Sequence, residues 1–127
     1  MPRILIADDS DTIRLDLKEI LEKGGHIVED AIDGNHGVEI ANNASHFDLV
    51  ISDYNMPGLD GLAMIGKIKA MDKYAATPCA MLTTESSKEL KEAGKNAGVI
   101  VWVVKPFDPE KLLQTVAKIF EKYPPKA

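Results

Sequence analysis

Five side chains can do chemistry together if the fold gathers them: the adjacent carboxylates of Asp8 and Asp9, the carboxylate of Asp53, the hydroxyl of Thr83 and the ammonium of Lys105. Each stands where a short apolar run stops. Arg3 to Ala7 precedes Asp8, Leu49-Val50-Ile51 precedes Ser52-Asp53, Cys79 to Leu82 leads into Thr83, and Val99 to Val104 precedes Lys105. Runs of this length bounded by turn residues read as buried strands, and Pro57-Gly58 supplies the turn after Asp53. In a parallel sheet all four ends lie at one edge, where open α/β folds bind ligands. Three carboxylates crowded there repel one another. A hard divalent cation relieves the repulsion, and few carboxylates plus waters suit Mg2+ better than Ca2+; Mn2+ can substitute for it. Lys105 adds a second positive charge. A carboxylate beside a cation, a hydroxyl and an ammonium suits a nucleophile that accepts a phosphoryl group, with both cations neutralising the transferring oxygens.

The elements that must position these groups follow from pattern. After the first strand, Ser10 or Asp11 caps a helix whose Ile13, Leu17, Ile20 and Leu21 keep helical spacing, with Arg14 and Lys18 elsewhere on the wheel. Gly24-Gly25 ends it. His26 to Ala31 reads as a more polar strand near a sheet edge, and Gly34 to Asn43 as a short helix with Val38 and Ala41 inward. Beyond Gly61 a helix carries Met64, Ile65, Ile68 and Met71 on one side. Ser86 or Ser87 caps a helix to about Ala97, with Leu90, Ala93 and Ala97 inward. Asp108 caps the last helix with Pro109 at its first position, and Leu112, Leu113, Val116, Ile119 and Phe120 form its apolar stripe. Five strands alternating with five helices predict a flavodoxin-like doubly wound (βα)5 three-layer sandwich, with a parallel sheet in the order 2-1-3-4-5.

Composition agrees with one domain over residues 1–127, its core at about 3–122 and a frayed tail at 123–127. The balance of 45% apolar and 28% charged residues is ordinary for a globular chain. A net charge of −5 speaks against general nucleic-acid binding. One cysteine, Cys79, excludes an internal disulfide and suits a reducing cytoplasm, where it fills the core. No apolar run reaches membrane-span length, and the N-terminus enters a strand without a signal-peptide layout. His26, His36 and His46 lack ligand spacing and read as surface residues.

These motifs resemble the response-regulator receiver domain, the CheY-like superfamily of two-component signalling. They are Asp8-Asp9, Asp53-x-Asn55-Met56-Pro57-Gly58, Thr83-Thr84-Glu85 and Lys105-Pro106-Phe107. Each is weak alone; in order, on predicted strand ends, they are specific. The resemblance covers about Arg3 to Lys122, and the intervals of thirty residues from Asp53 to Thr83 and twenty-two from Thr83 to Lys105 match single-domain chemotaxis-type members. It implies that Asp53 is the phosphoacceptor for the phosphohistidine of a sensor histidine kinase. Asp9 and Asp53 would hold Mg2+ directly, Asn55 through its backbone carbonyl and Asp8 through water. Lys105 would move from Asp53 to a phosphoryl oxygen, and Thr83 would turn its hydroxyl to another. The Lys105-Pro106 peptide would be cis. Asn55 and Glu85 would tune dephosphorylation. Such a chain is no enzyme beyond its own phosphorylation and dephosphorylation.

The departure is Trp102. The family places a tyrosine or phenylalanine three residues before the lysine, an aromatic that turns inward with the threonine. An indole is larger and offers only an N–H donor. Its inward position is expected to need a wider groove around Thr84 and the fourth helix, so that Trp102 reports a smaller switch. Plain packing in the strand is the other reading of Trp102. Lys88, Lys91 and Lys95 share one helical face, either solvated or, with Trp102 and the fifth helix, a surface for an acidic partner segment. Asp8 and Asp9 also suit helix capping, and Thr83 a satisfied strand-end hydroxyl.

Three functions fit. One is a receiver, monomeric or a weak dimer, that signals through its own surface to a downstream target such as a flagellar switch. The second is a phosphorelay intermediate serving a histidine phosphotransfer protein. The third, a small haloacid-dehalogenase-like phosphohydrolase with an aspartate nucleophile, wants its nucleophile on the first strand and a second aspartate two residues on, whereas Asp8 and Asp9 are adjacent. A dinucleotide-binding domain lacks its glycine motif after the first strand.

Overall fold

The structure, a computed structural model, describes residues 1–126. Five strands, β1 (Arg3–Ala7), β2 (Ile27–Ala31), β3 (Leu49–Ser52), β4 (Cys79–Thr83) and β5 (Val99–Val104), alternate with five helices. These are α1 (Asp11–Lys23), α2 (Gly34–Asn43), α3 (Gly61–Lys69), α4 (Lys88–Ala97) and α5 (Pro109–Lys122). All strand pairs are parallel, in the order β2-β1-β3-β4-β5. The doubly wound sheet expected from pattern is therefore present, with the polar β2 at its edge.

Alternation along the strands divides the core. Ile4 and Ile6 of β1, with Leu49 and Ile51 of β3, meet Leu17 and Leu21 of α1 and Leu112, Val116 and Ile119 of α5. Leu5, Ala7 and Val50 face the other way, onto Ala41 of α2 and Met64, Ile65 and Ile68 of α3. Ile4, Leu5, Ile6, Leu49 and Val50 are fully buried, each worth roughly 1.5–3 kcal/mol of apolar transfer. The pull of both faces explains why these strands are continuous apolar runs.

Each helix start is fixed by one side chain. Ser10, Asp33, Asp60, Ser87 and Asp108 accept hydrogen bonds from first-turn amides of α1 to α5 in turn, which settles the two alternatives left open by sequence. A register shift at Cys79/Ala80 pairs Cys79 with Val99 but Ala80 with Val101. This extra residue puts Trp102 opposite Met81, on the α3–α4 face of the sheet.

Four expectations are corrected. Arg14 is buried and falls on the stripe of Leu17 and Leu21 rather than elsewhere on the wheel of α1. Ala93 is exposed, and Gly94 takes the inward place beneath α4. The tail does not fray over 123–126: Tyr123 packs on the α1–α5 core and the Lys126 amide donates to Asp48 Oδ1 at 2.9 Å; Ala127 lies outside the described residues. The three histidines are half-buried rather than surface residues. His26 packs against Phe120, His36 Nδ1 accepts from the Ile32 amide, and His46 approaches Asp48. A short 3₁₀ turn, Asp72–Tyr74, also occupies part of the loop after α3, driven by the fully buried Tyr74 ring, whose hydroxyl donates to the Ala41 carbonyl.

Candidate functional site

The carboxyl ends of β1, β3, β4 and β5 deliver their side chains to one edge. Asp8 and Asp9 follow β1, Asp53 follows β3, Thr83 ends β4 and Lys105 follows β5. Carboxylate oxygens of Asp8, Asp9 and Asp53 all lie within 4.8 Å of one another. Lys105 Nζ donates to Asp8 Oδ2 at 2.7 Å and to Asp53 Oδ2 at 3.1 Å. Burial opposes the charge on Lys105. The hydrogen bonds and charges of Asp8 and Asp53 outweigh it, so the ammonium titrates above the ordinary lysine value.

The backbone beneath Asp53 is held on several sides. Its amide donates to the Ala7 carbonyl at 2.9 Å, and its carbonyl accepts from the buried Ser52 hydroxyl at 2.7 Å. Gly61, at the start of α3, runs so close that any Cβ there would collide with the Asp53 carbonyl oxygen. Asp53 Oδ1 accepts from the Tyr54 amide at 2.7 Å. Gly58 turns the loop with φ of 78°, a conformation that favours glycine.

The carboxylates differ in what they have left to offer. Both oxygens of the buried Asp8 are engaged, Oδ1 by the Ser10 amide at 2.9 Å and Oδ2 by Lys105. Asp9 is exposed, and among the described residues its carboxylate makes no hydrogen bond or ion pair. It lines an open cleft with Tyr54, Asn55, Met56, Pro57 and Asp60. This all-oxygen set fits a hard divalent cation, with Asp9 the most available ligand and Asp8 the least.

Glu85 links the site to β5. Its amide donates to Thr83 Oγ1 at 3.3 Å, its side chain accepts from Asn55 Nδ2 at 3.2 Å, and its carbonyl accepts from Trp102 Nε1 at 2.8 Å. The Thr83 hydroxyl is fully buried. The indole lies under α4, where a Cβ on Gly94 would stand 2.9 Å from Trp102 Cζ3. The missing side chain of Gly94 leaves room for the ring in this position. The Lys105–Pro106 peptide is cis. Lys88, Lys91 and Lys95 are exposed on α4, and Lys91 and Lys95 edge a groove floored by Ile100, Val101 and Trp102.

Reading the sequence missed Arg14, Ser52, Gly61 and Gly94 as supports of this edge. Arg14 and Gly94 were findable: each lies on the apolar stripe of its helix, Arg14 with Leu17 and Leu21, Gly94 with Leu90 and Ala97. Ser52 and Gly61 carry no such signal.

Comparison with known proteins agrees with this geometry. The family model described as the response regulator receiver domain matches residues 4–117. The chemotaxis protein CheY homolog of Campylobacter jejuni is 34% identical over 120 residues, 92% of this chain and 91% of that protein. Among solved structures, the chemotaxis protein CheY4 of Vibrio cholerae has 41% identity and a TM-score of 0.89, covering 94% of this chain and 98% of that one. A CheY-like receiver domain protein of Methanospirillum hungatei has 31% identity and a TM-score of 0.88, over 97% and 96%. The chain belongs to the response regulator receiver family, with a CheY-like domain of two-component signalling.

Proposed function

We propose that Asp53 accepts a phosphoryl group from the phosphohistidine of a sensor histidine kinase, and that the change reaches a partner through the α4–β5–α5 face. The observation that carries this reading is the Lys105 ammonium 3.1 Å from Asp53 Oδ2, beside three clustered carboxylates. Asp53 attacks phosphorus through a carboxylate oxygen. The P–O bond forms as the P–N bond breaks, and the kinase histidine leaves with the electron pair and takes up a proton. Lys105 already touches the nucleophile and needs only to follow the incoming oxygens. Thr83, buried at the next strand end, supplies a hydroxyl for another of them.

Asp9, Asp53 and the Asn55 carbonyl would hold Mg2+, with Asp8 acting through water. Bound there, the ion supplies neutralisation of the transferring oxygens. Asn55 and Glu85, hydrogen-bonded across the mouth of the site, are placed to govern how water reaches the phosphoaspartate. Trp102 would report Thr83 movement through Glu85. The names of the relatives favour a chemotaxis-type target over a phosphotransfer protein.

The test is labelling by purified histidine kinases with Mg2+. Wild-type protein is expected to be labelled and Asp53→Asn to lose the label by at least about a hundredfold, as for removal of a nucleophile. Label that persists in Asp53→Asn would place the acceptor elsewhere.

A further inference from the structure

Arg14 is among the few buried charged residues, and the chemistry proposed for Asp53 makes no use of it. It stands one turn into α1, and a helical side chain leans back toward the helix start. Its guanidinium therefore reaches under the end of β1. Nη1 donates to the Asp8 carbonyl at 2.9 Å, Nη2 to Asp11 Oδ1 at 2.5 Å and Nε to Asp30 Oδ2 at 3.0 Å. Lys18 Nζ completes the set on Asp30 Oδ1 at 3.2 Å. One planar fork thus ties together the end of β1, the first turn of α1 and β2.

The bond to the Asp8 carbonyl sets this arrangement apart from an ordinary ion pair. That carbonyl belongs to the planar peptide joining Asp8 to Asp9. Holding its oxygen fixes the rotation of the peptide plane, and with it the direction in which the Asp9 Cα–Cβ bond leaves the chain. The Asp8 amide is held by the Ala31 carbonyl at 3.2 Å, and its carboxylate by Ser10 and Lys105. Among the described residues Asp9 has no comparable side-chain support. Its aim rests on the peptide before it.

We propose that Arg14 is a positioning residue for the metal site: it orients the Asp8–Asp9 peptide so that the Asp9 carboxylate points into the cluster with Asp53. The inference rests on the reading of that cluster as a Mg2+ site. Its basis is geometry rather than field, because Arg14 and Lys18 are balanced by Asp11 and Asp30 and the group adds little net charge beneath the acids. A lysine would keep the charge but cannot direct three N–H groups in one plane.

Calorimetric titration of Mg2+ into the unphosphorylated protein tests this without any readout of phosphotransfer. Arg14→Lys is expected to bind Mg2+ roughly tenfold more weakly than wild type, the range for loss of a residue that orients a ligand. The comparison is made at a temperature where circular dichroism shows both proteins folded. If Arg14→Lys does not fold, the double variant Lys18→Ala/Asp30→Ala frees the guanidinium Nε at unchanged net charge while Arg14 stays in place, and a weakening of at least about threefold is expected. Affinity within twofold of wild type in the folded variant would overturn the role of Arg14 and leave the metal site standing. Absence of Mg2+ binding in wild type would overturn the metal reading and this inference with it.

Discussion

Two buried aspartates sit at opposite edges of the sheet, and their company separates chemistry from architecture. Asp8, 2% exposed, lies at the carboxyl edge; Asp48, 7% exposed, lies at the amino edge just before β3. Asp48 is held by backbone. Its Oδ2 accepts from the Arg3 amide at 2.8 Å and its Oδ1 from the Lys126 amide at 2.9 Å, joining the start of the chain to its tail. Such donors cannot leave without unfolding local structure. Asp8 shares Lys105 with Asp53, and one further carboxylate, that of Asp9, lies within reach. A side-chain ammonium can change partners, and clustered like charges invite a cation. Burial of a carboxylate alone therefore says little; exchangeable partners distinguish the edge for which chemistry is proposed.

Substitutions can break this contrast, and the largest effect is expected at the structural edge. Asp48→Ala leaves the Arg3 and Lys126 amides without their acceptor and should lower stability by about 2–3 kcal/mol, read by urea denaturation, while Asp53 is still labelled. Asp53→Asn should show the reverse pattern. Asp8 still holds Lys105 and one of three like charges is gone, so without divalent cation its denaturation midpoint should equal or exceed that of wild type. A clear fall in that midpoint would mean that Asp53 supports the fold as Asp48 does.

The next effect concerns the link from the reactive edge to β5. Gly94→Ala improves helix propensity by up to about 1 kcal/mol but drives a methyl into the indole, where overpacking costs about 1–3 kcal/mol. A net loss of about 1 kcal/mol is expected, with a shift in Trp102 emission as Nε1 leaves the Glu85 carbonyl. Unchanged emission would show that the ring has room regardless of Gly94.

The smallest effect is a pH dependence at the amino edge. His26 precedes β2, and its Nδ1 is buried without a hydrogen-bond partner among the described residues. Burial, and then the charge of the N-terminus, lower its pKa below the ordinary imidazole value of 6.5. The unfolded chain therefore takes up this proton first, and stability falls as pH drops below about 6.5 toward the folded value. From pH 8 to pH 5 wild type should lose more stability than His26→Gln, by less than about 1 kcal/mol. Equal losses would show that the imidazole gains its proton without penalty.

The reactive edge was more legible than the edge opposite because its residues announce themselves by position. Asp8, Asp9, Asp53, Thr83 and Lys105 each terminate an apolar run, and alternation of strands with helices is enough to bring such ends together. Asp48 begins a run and looks like any polar residue before a strand. Its partners are the backbone amides of Arg3 and Lys126, and amides carry no sequence identity. The tail was misread for the same reason, since Pro124-Pro125 has the composition of a loose end while a single carboxylate holds the amide that follows.

The order of residues along this chain was thus sufficient to determine the alternation of strands and helices and the five groups at the carboxyl edge, because these follow from local periodicity and from the ends of apolar runs. Tertiary structure alone decided how those groups are supported. Arg14 is a charge on the apolar stripe of α1 with no visible partner until β1 and β2 present a carbonyl and a carboxylate to it. Gly94 is a weak spot in a helix until the shifted register of β5 turns Trp102 beneath it. Contacts between residues distant in sequence depend on close packing across elements, and periodicity within one element holds no record of what the neighbouring element will place against it.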